Sequence, residues 1–497
     1  MSLPQSEDCL FLNIYAPSHP VADSHRPVMV WIHGGALITG TGASYDPSDL
    51  VAANGIIVVT INYRLGALGW LVEPGLTAAE PNFFEKAGDA GNYGLMDQQF
   101  ALRWVRRNIA RFGGDPKRVT VAGQSAGALS VASLLASTET GADLFRGAII
   151  ESGAYQLHDL PSQAEYGGRF GADFDAALGC SPPSDAPCLR AAPVSAILAA
   201  QARVFASHGI SPDVGTRILP RALDRALATG EFIRVPVLQG TAANEGRFFE
   251  PQNFPFASTP PNIQAAGGPA NFDLKNPNSF CATPQGTLTA CTYSQEIALY
   301  VAMLSGALGI PTAADSGSFV DRLAREYPLA NFPDRFLPND APSADEALSQ
   351  VFTDLVFACN ANESSGNLSR FVPVFGYEFD DPNAPPGTAP IKPPNDVFGF
   401  PSASEHGSEV QFLFNFGRPL SADEQQLADT MKTYWANFVR TGDPNFPRPV
   451  PAWLPFNGTD AVQHLIPAPQ IPHPFFTFER EHVCRTWQPI IATETPK

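Results

Sequence analysis

Val119-Thr-Val-Ala-Gly-Gln-Ser-Ala-Gly127 is the stretch on which the fold turns. Its first four residues are apolar or β-branched and read as a buried strand, while residues 128–137 have helical character. Between them, Gly123-x-Ser125-x-Gly127 marks a strand-to-helix reversal so tight that only small residues fit beside the serine. Such an elbow presents a hydroxyl above a sheet, at a helix N-terminus whose dipole favours developing negative charge. Standing alone, the motif is an ordinary glycine-rich turn. Strand before and helix after make Ser125 a candidate nucleophile.

Outward from the elbow, short apolar β-branched runs recur at 28–32, 56–61, 148–150, 235–239 and 372–379. They read as centre strands buried on both faces, the mark of a parallel sheet. Residues 95–109 are helical, with Met96, Phe100 and Trp104 at four-residue spacing. Ser421-Ala-Asp-Glu424 is a capping box that opens a helix carrying Leu427, Met431, Tyr434, Trp435 and Phe438 on one face and ending at Gly442. There is no internal repeat. The alternation predicts an α/β fold in one domain over residues 1–497, a mostly parallel sheet flanked by helices with long loop and helical insertions.

Composition limits the function. The net charge is −18, from 31 basic and 49 acidic residues, and no Lys/Arg cluster stands out, so nucleic acid is excluded as a partner. No apolar run is long enough to span a bilayer. The 48 prolines and 41 glycines imply long ordered loops, and the Pro/Gly/Asn-rich stretches at about 251–289 and 380–404 are candidate rims of a binding site. Of the seven cysteines, Cys180 and Cys188 close a short Pro-rich loop, as do Cys281 and Cys291. Cys359 and Cys484 make a distant pair, and Cys9 is left over. Free buried thiols are the alternative to disulfides; zinc would want Cys-x-x-Cys spacing or clustered histidines, which are absent. Disulfides point to an oxidising compartment, yet Met1-Ser-Leu-Pro-Gln-Ser-Glu-Asp8 has neither the basic start nor the apolar core of a signal peptide.

Acyl transfer needs fixed N–H donors for the oxyanion. Trp31-Ile-His-Gly-Gly-Ala36 follows the 28–32 strand and offers them, with the backbone N–H groups of Gly35, Ala36 and Ala126 as the expected donors. A serine also needs a base, and the base an orienting acid. Among nine histidines, His406 alone sits on a loop just before a helical pattern, late in the chain. His33 belongs to the oxyanion loop and reads as structural, His19 and His25 lie in a polar loop, and His464, His473 and His482 lie in the Pro-rich tail. His158 and His208 carry no motif and read as solvated. Glu245 lies past the end of the 235–239 strand beside Gly246, with Glu250 and Asp213 as weaker rivals. The order Ser, Glu, His is that of an α/β hydrolase.

At these residues the chain resembles the type-B carboxylesterase/lipase family, which includes the cholinesterases, p-nitrobenzyl esterases and some fungal lipases. Ser6-Glu-Asp-Cys-Leu-Phe-Leu-Asn-Ile-Tyr15 and Phe112-Gly-Gly-Asp-Pro-Lys-Arg-Val-Thr-Val-Ala-Gly-Gln-Ser-Ala-Gly127 look like its two signatures. Asn62-Tyr-Arg-Leu-Gly-Ala-Leu-Gly69, Gly91-Asn-Tyr-Gly-Leu-Met-Asp97, Tyr434-Trp-Ala-Asn-Phe438 and Thr441-Gly-Asp-Pro-Asn445 also match. The resemblance implies an α/β-hydrolase fold, a Ser125–Glu245–His406 triad, and oxyanion donors at Gly35, Ala36 and Ala126. It also implies an Arg64–Asp97 ion pair and disulfides Cys180–Cys188 and Cys359–Cys484. Ala36 stands where many members have glycine; because the donor is a backbone N–H, the exchange is expected to be tolerated.

Relatives normally carry a longer portion before the Ser-Glu-Asp-Cys motif, where only five residues precede Ser6 here. That portion would supply the partner of Cys9, the lipase lid and the choline site, so cholinesterase selectivity does not carry over. A trimmed or misplaced start would reconcile the N-terminus with a secreted or periplasmic protein. Without that portion, Cys9 is expected to be a free thiol and apolar surface to be exposed near residues 1–15. The reading is a carboxylesterase acting on small to medium uncharged esters, with no metal or organic cofactor because nucleophile, base and donors are all encoded. The alternatives are a lipase on longer acyl chains and a non-catalytic adhesion-type member.

Overall fold

Eight strands share one sheet: β1 (Leu12–Tyr15), β2 (Arg26–Ile32), β3 (Ile57–Ile61), β4 (Gly114–Gln124), β5 (Gly147–Glu151), β6 (Val237–Ala242), β9 (Val374–Phe379) and β10 (Val462–Leu465). Their order is β1-β3-β2-β4-β5-β6-β9-β10; only the edge pair β1–β3 is antiparallel. A separate antiparallel pair joins β7 (Phe280–Ala282) and β8 (Leu288–Ala290). The computed structural model describes residues 6–18, 25–73, 76, 90–158, 160–180, 186–204, 210–253, 280–282, 288–290, 323, 325–332, 344–385, 403–457, 462–467 and 478–491. Most of both loop stretches marked as candidate rims, and Cys291 of the Cys281–Cys291 pairing, lie outside them.

All six expected strands form, and β2 shows why they lack polar alternation. Val28, Val30 and Ile32 enter one core, whereas Met29 and Trp31 enter the core on the opposite face. The first core is closed by α1 (Tyr93–Asn108) and α2 (Ala126–Ala136), through Leu102, Val105, Leu129 and Leu134. The second is closed by α4 (Ala422–Thr441), through Leu427, Met431, Trp435 and Phe438. At its start Ser421 and Glu424 cap each other's backbone, and Gly442 ends it at φ 81°.

The α1 helix is present, and the Met96–Phe100–Trp104 stripe lies at the margin of its buried face, with Met96 and Trp104 packed against the first core. Phe100 is 53% exposed, and Met96 and Trp104 are only half-buried. Leu95, Leu102 and Val105 are buried instead, with Gln98 donating to Ser130 Oγ and Gln99 to Ser137 Oγ and Thr140 Oγ1. Amide N–H bonds to these hydroxyls let two polar residues occupy positions that the four-residue apolar count passes over. Arg64 and Asp97 form a two-pronged ion pair at 2.8 and 2.9 Å, and Asp97 also accepts the Arg64 backbone N–H.

Cys180–Cys188 and Cys359–Cys484 are disulfides, and Cys9 is a free, half-buried thiol. Next to it Leu10 and Phe11 are exposed, the apolar surface expected beside β1. Among the described residues no helix is long and apolar enough to cross a membrane.

Candidate active site

The parallel strands bring three loops to one end of the sheet. From β4, Ser125 follows Gln124 with φ 56° and ψ −128°, a strained geometry held by the Ser125 N–H bond to Glu151 O (2.8 Å) at the end of β5. The small residues of the elbow serve close approach. A Cβ on Gly127 would lie 2.0 Å from Ile32 O, and one on Gly123 would lie 2.6 Å from the Gly127 backbone. Thus the elbow is pressed against the end of β2, where the second loop begins. A Cβ on Gly34 would lie 2.9 Å from Ser125 Cβ, so that loop passes directly over the serine.

Gly35, Ala36 and Leu37 have φ of 109°, 53° and 60° in succession. Two of them are not glycines, a costly conformation that turns backbone groups away from secondary-structure pairing. Among the described residues no protein acceptor takes the N–H of Gly35, Ala36 or Ala126. His33 anchors the loop: it is 1% exposed, stacks on Tyr63 with centroids 4.6 Å apart, and its Nδ1 donates to Gly34 O at 2.8 Å. Burial pushes its pKa down to about 4 against that bond, so it is neutral and structural, as expected.

The third loop carries His406, whose Nδ1 donates to Glu245 Oε2 at 2.5 Å. Glu245 is wholly buried just before α3 (Gly246–Asn253), and its other oxygen accepts from Ser152 Oγ (2.6 Å), Thr241 Oγ1 (2.6 Å) and the Ala242 N–H (2.8 Å). Burial alone would raise its pKa; the charge and hydrogen bond of His406 and the two hydroxyls outweigh it and hold the carboxyl below its ordinary value. The rings of Phe248, Phe249 and Phe357 stand 5.6, 4.9 and 5.0 Å from the imidazole, an apolar surround for that ring. The nearest recorded partner of His406 Nε2 is Gln124 Nε2 at 3.3 Å; no hydrogen bond joins it to Ser125. Asp213, the rival acid, lies with Asn92 and Gly91 instead, bonded through its backbone to the Asn92 amide. The Glu250 side chain lies outside the described residues.

Two more carboxyls lie behind Glu245, and sequence reading passed them over. Glu151 accepts from Trp435 Nε1 (2.7 Å) with one oxygen and has no partner for the other. Glu409, three residues after His406, finds no partner for either oxygen beyond its own backbone. Burial pushes Glu151 up to about 8, against the Trp435 bond, and burial with the charges of Glu151 and Glu245 pushes Glu409 well up. Of these three buried carboxyls, only Glu245 has donors on both oxygens, and only its pKa is held below the ordinary value.

The other histidines divide. His25 is exposed, and His19, His208 and His473 lie outside the described residues. His158 is not solvated: it is buried between Asp224 (3.4 Å) and Glu363 (3.0 Å), which together outweigh burial and bring its pKa up to about 9. Its partners come from helices distant in sequence, so no local motif announces them.

Comparison with known proteins agrees with this architecture. A profile described as the Carboxylesterase family matches residues 1–471. A cocaine esterase of Homo sapiens is 33% identical over 449 residues, 88% of this chain and 68% of the relative. An acylcarnitine hydrolase of Mus musculus is 33% identical over 458 residues, 89% of this chain and 69% of the relative. A solved PNB esterase superposes with a TM-score of 0.66 at 29% identity, covering 94% of this chain and 83% of its own. The chain therefore belongs to the carboxylesterase family and is a serine carboxylic-ester hydrolase.

Proposed function

We propose that Ser125 is the nucleophile, His406 the general base and Glu245 the orienting acid, with the N–H groups of Gly35, Ala36 and Ala126 as the oxyanion hole. His406 Nε2 takes the Ser125 proton as Oγ attacks the ester carbonyl, and the oxyanion is met by the three N–H groups. The same proton passes to the departing alcohol as the C–O bond breaks, leaving an acyl-Ser125. Water, deprotonated by His406, then attacks the acyl carbon; the acid leaves and Ser125 recovers its proton.

One observation carries the reading: Glu245 has a donor for every lone pair that matters, and one of them is His406 Nδ1 at 2.5 Å. That bond sets the tautomer with Nε2 free to accept a proton. The substrate class we infer is uncharged esters of small to medium size, since the rings about His406 are apolar and carry no counter-ion for a charged leaving group. A p-nitrophenyl ester series from acetate to palmitate should peak at short acyl chains; a maximum at palmitate would make the lipase reading the better one. A fluorophosphonate probe should label Ser125, and a label elsewhere would falsify the assignment.

The two disulfides fit an extracellular or lumenal location. We propose export, to the periplasm or beyond, with the chain acting as a single domain across residues 1–497. Fractionation of native cells that left all activity in the cytosol would overturn the export.

A further inference from the structure

Gln124 has no part in the mechanism above, yet its side chain touches all three loops. Its Nε2 lies 3.3 Å from His406 Nε2, the nitrogen that must receive the Ser125 proton. On one side a Cβ at Gly34 would come within 3.1 Å of its Oε1; on the other a Cβ at Gly407 would come within 3.3 Å of its Nε2. The residue is 4% exposed. With Nδ1 donating to Glu245, a neutral imidazole has only Nε2 left as acceptor, and the Gln124 amide is the donor beside it.

We propose that Gln124 is a positioning residue that holds Nε2 of His406 in the resting enzyme and releases it to Ser125 when an ester enters. This rests on the triad assigned above. An amide suits the task because it serves both protonation states: its N–H faces neutral Nε2, and after turning over its carbonyl accepts from the protonated ring. A carboxylate of the same shape could serve only the protonated ring. It would favour the imidazolium and withhold the base until higher pH. The titratable groups already around His406 are Glu245 on Nδ1, Glu151 and Glu409 behind it, and Glu405 next in the chain; the other neighbours are Phe248, Phe249 and Phe357. None of these groups other than Gln124 bonds Nε2.

The test is the pH profile of kcat/KM for Gln124→Glu and Gln124→Leu, with a neutral ester. In Gln124→Glu the acid limb should move up by about one pH unit, with the alkaline plateau kept within a few fold. In Gln124→Leu, which keeps the bulk and loses the amide, kcat should fall about tenfold with KM little changed. An acid limb that stays in place in the glutamate variant, or full activity in the leucine variant, overturns the proposal. If the glutamate variant is inactive, the low-field proton on His406 Nδ1 is followed by NMR instead. Its titration should move upward relative to wild type, and an unmoved titration overturns the proposal too. Failure here leaves Ser125 labelling by the phosphonate intact, whereas failure of the triad itself abolishes that labelling in the wild type.

Discussion

Among the described residues two histidines are buried against a carboxylate at 2.5 Å, and they differ in what the second ring nitrogen meets. His406 gives Nδ1 to Glu245 and keeps Nε2 toward the elbow. His482 gives Nδ1 to Asp354 at 2.5 Å and Nε2 to Glu378 at 2.6 Å. Burial alone would discharge His482, but the two carboxylates outweigh it and carry its pKa up to about 10. A ring held on both nitrogens cannot receive a proton from a third group. It works as a charged bolt between β9, the helical turn at Thr353–Ala358 and the C-terminal segment, close to the Cys359–Cys484 disulfide. Asp354 is tied down further by Tyr327 (2.6 Å) and Gln350 (2.7 Å).

The comparison breaks most visibly in kinetics. His406→Ala should lower kcat by about 10⁴-fold or more, because serine is a weak nucleophile without its base. Glu245→Gln should cost less, since the base remains while its tautomer and charge partner are lost. His482→Ala should leave kcat per folded molecule near wild type. Steady-state rates normalised to phosphonate-titratable sites read all three. Equal losses at His406 and His482 would show that the second site also moves protons.

Stability reverses the ranking. Removing His482 strands two buried carboxylates, a loss of about 3–5 kcal/mol in chemical unfolding, whereas His406→Ala should cost less because Glu245 keeps three other donors. The sign in pH follows from the raised value. The His482 contribution is full below its unfolded pKa of 6.5 and lost as the pH rises through about 10. Melting curves of the wild type should therefore fall toward pH 10 with a step that His482→Ala lacks. A wild-type curve without that step would mean the ring is neutral.

How much of this was legible in the chain depends on sequence distance. Ser125, its strand and its helix are contiguous, and the glycines around it answer to contacts that any such elbow makes. His406 and Glu245 are legible as candidates by loop position and order. Their supporting groups are not. Ser152 and Thr241 are unremarkable residues until β5 and β6 pair and bring both hydroxyls to one oxygen. Gln124 meets His406 across 282 residues, and His482 meets Asp354 across 128. The tail around His482 reads as a Pro-rich segment because nothing local reveals its acid partners. Likewise, a four-residue apolar count marks the margin of the buried face of α1, since Gln98 and Gln99 reach the core only through hydroxyls on a neighbouring helix and loop.

The smallest effect we expect concerns Glu151, the carboxyl that lost the contest with Glu245. It is fully buried with one donor, from Trp435, and its folded pKa stands at about 8 against an ordinary 4.5. The folded state therefore keeps a proton that the unfolded chain releases. The resulting stability is full below pH 4.5 and is lost as the pH rises through about 8. Glutamine has the same shape, still accepts from Trp435, and has no proton to lose. Glu151→Gln should match the wild type near pH 4.5 and become the more stable of the two by pH 8. Activity should stay within a few fold, since what Glu151 lends to Ser125 is its backbone carbonyl. Thermal melts across this range decide the matter: a variant that is less stable than wild type at pH 8 would mean that the buried site requires a second anion behind Glu245.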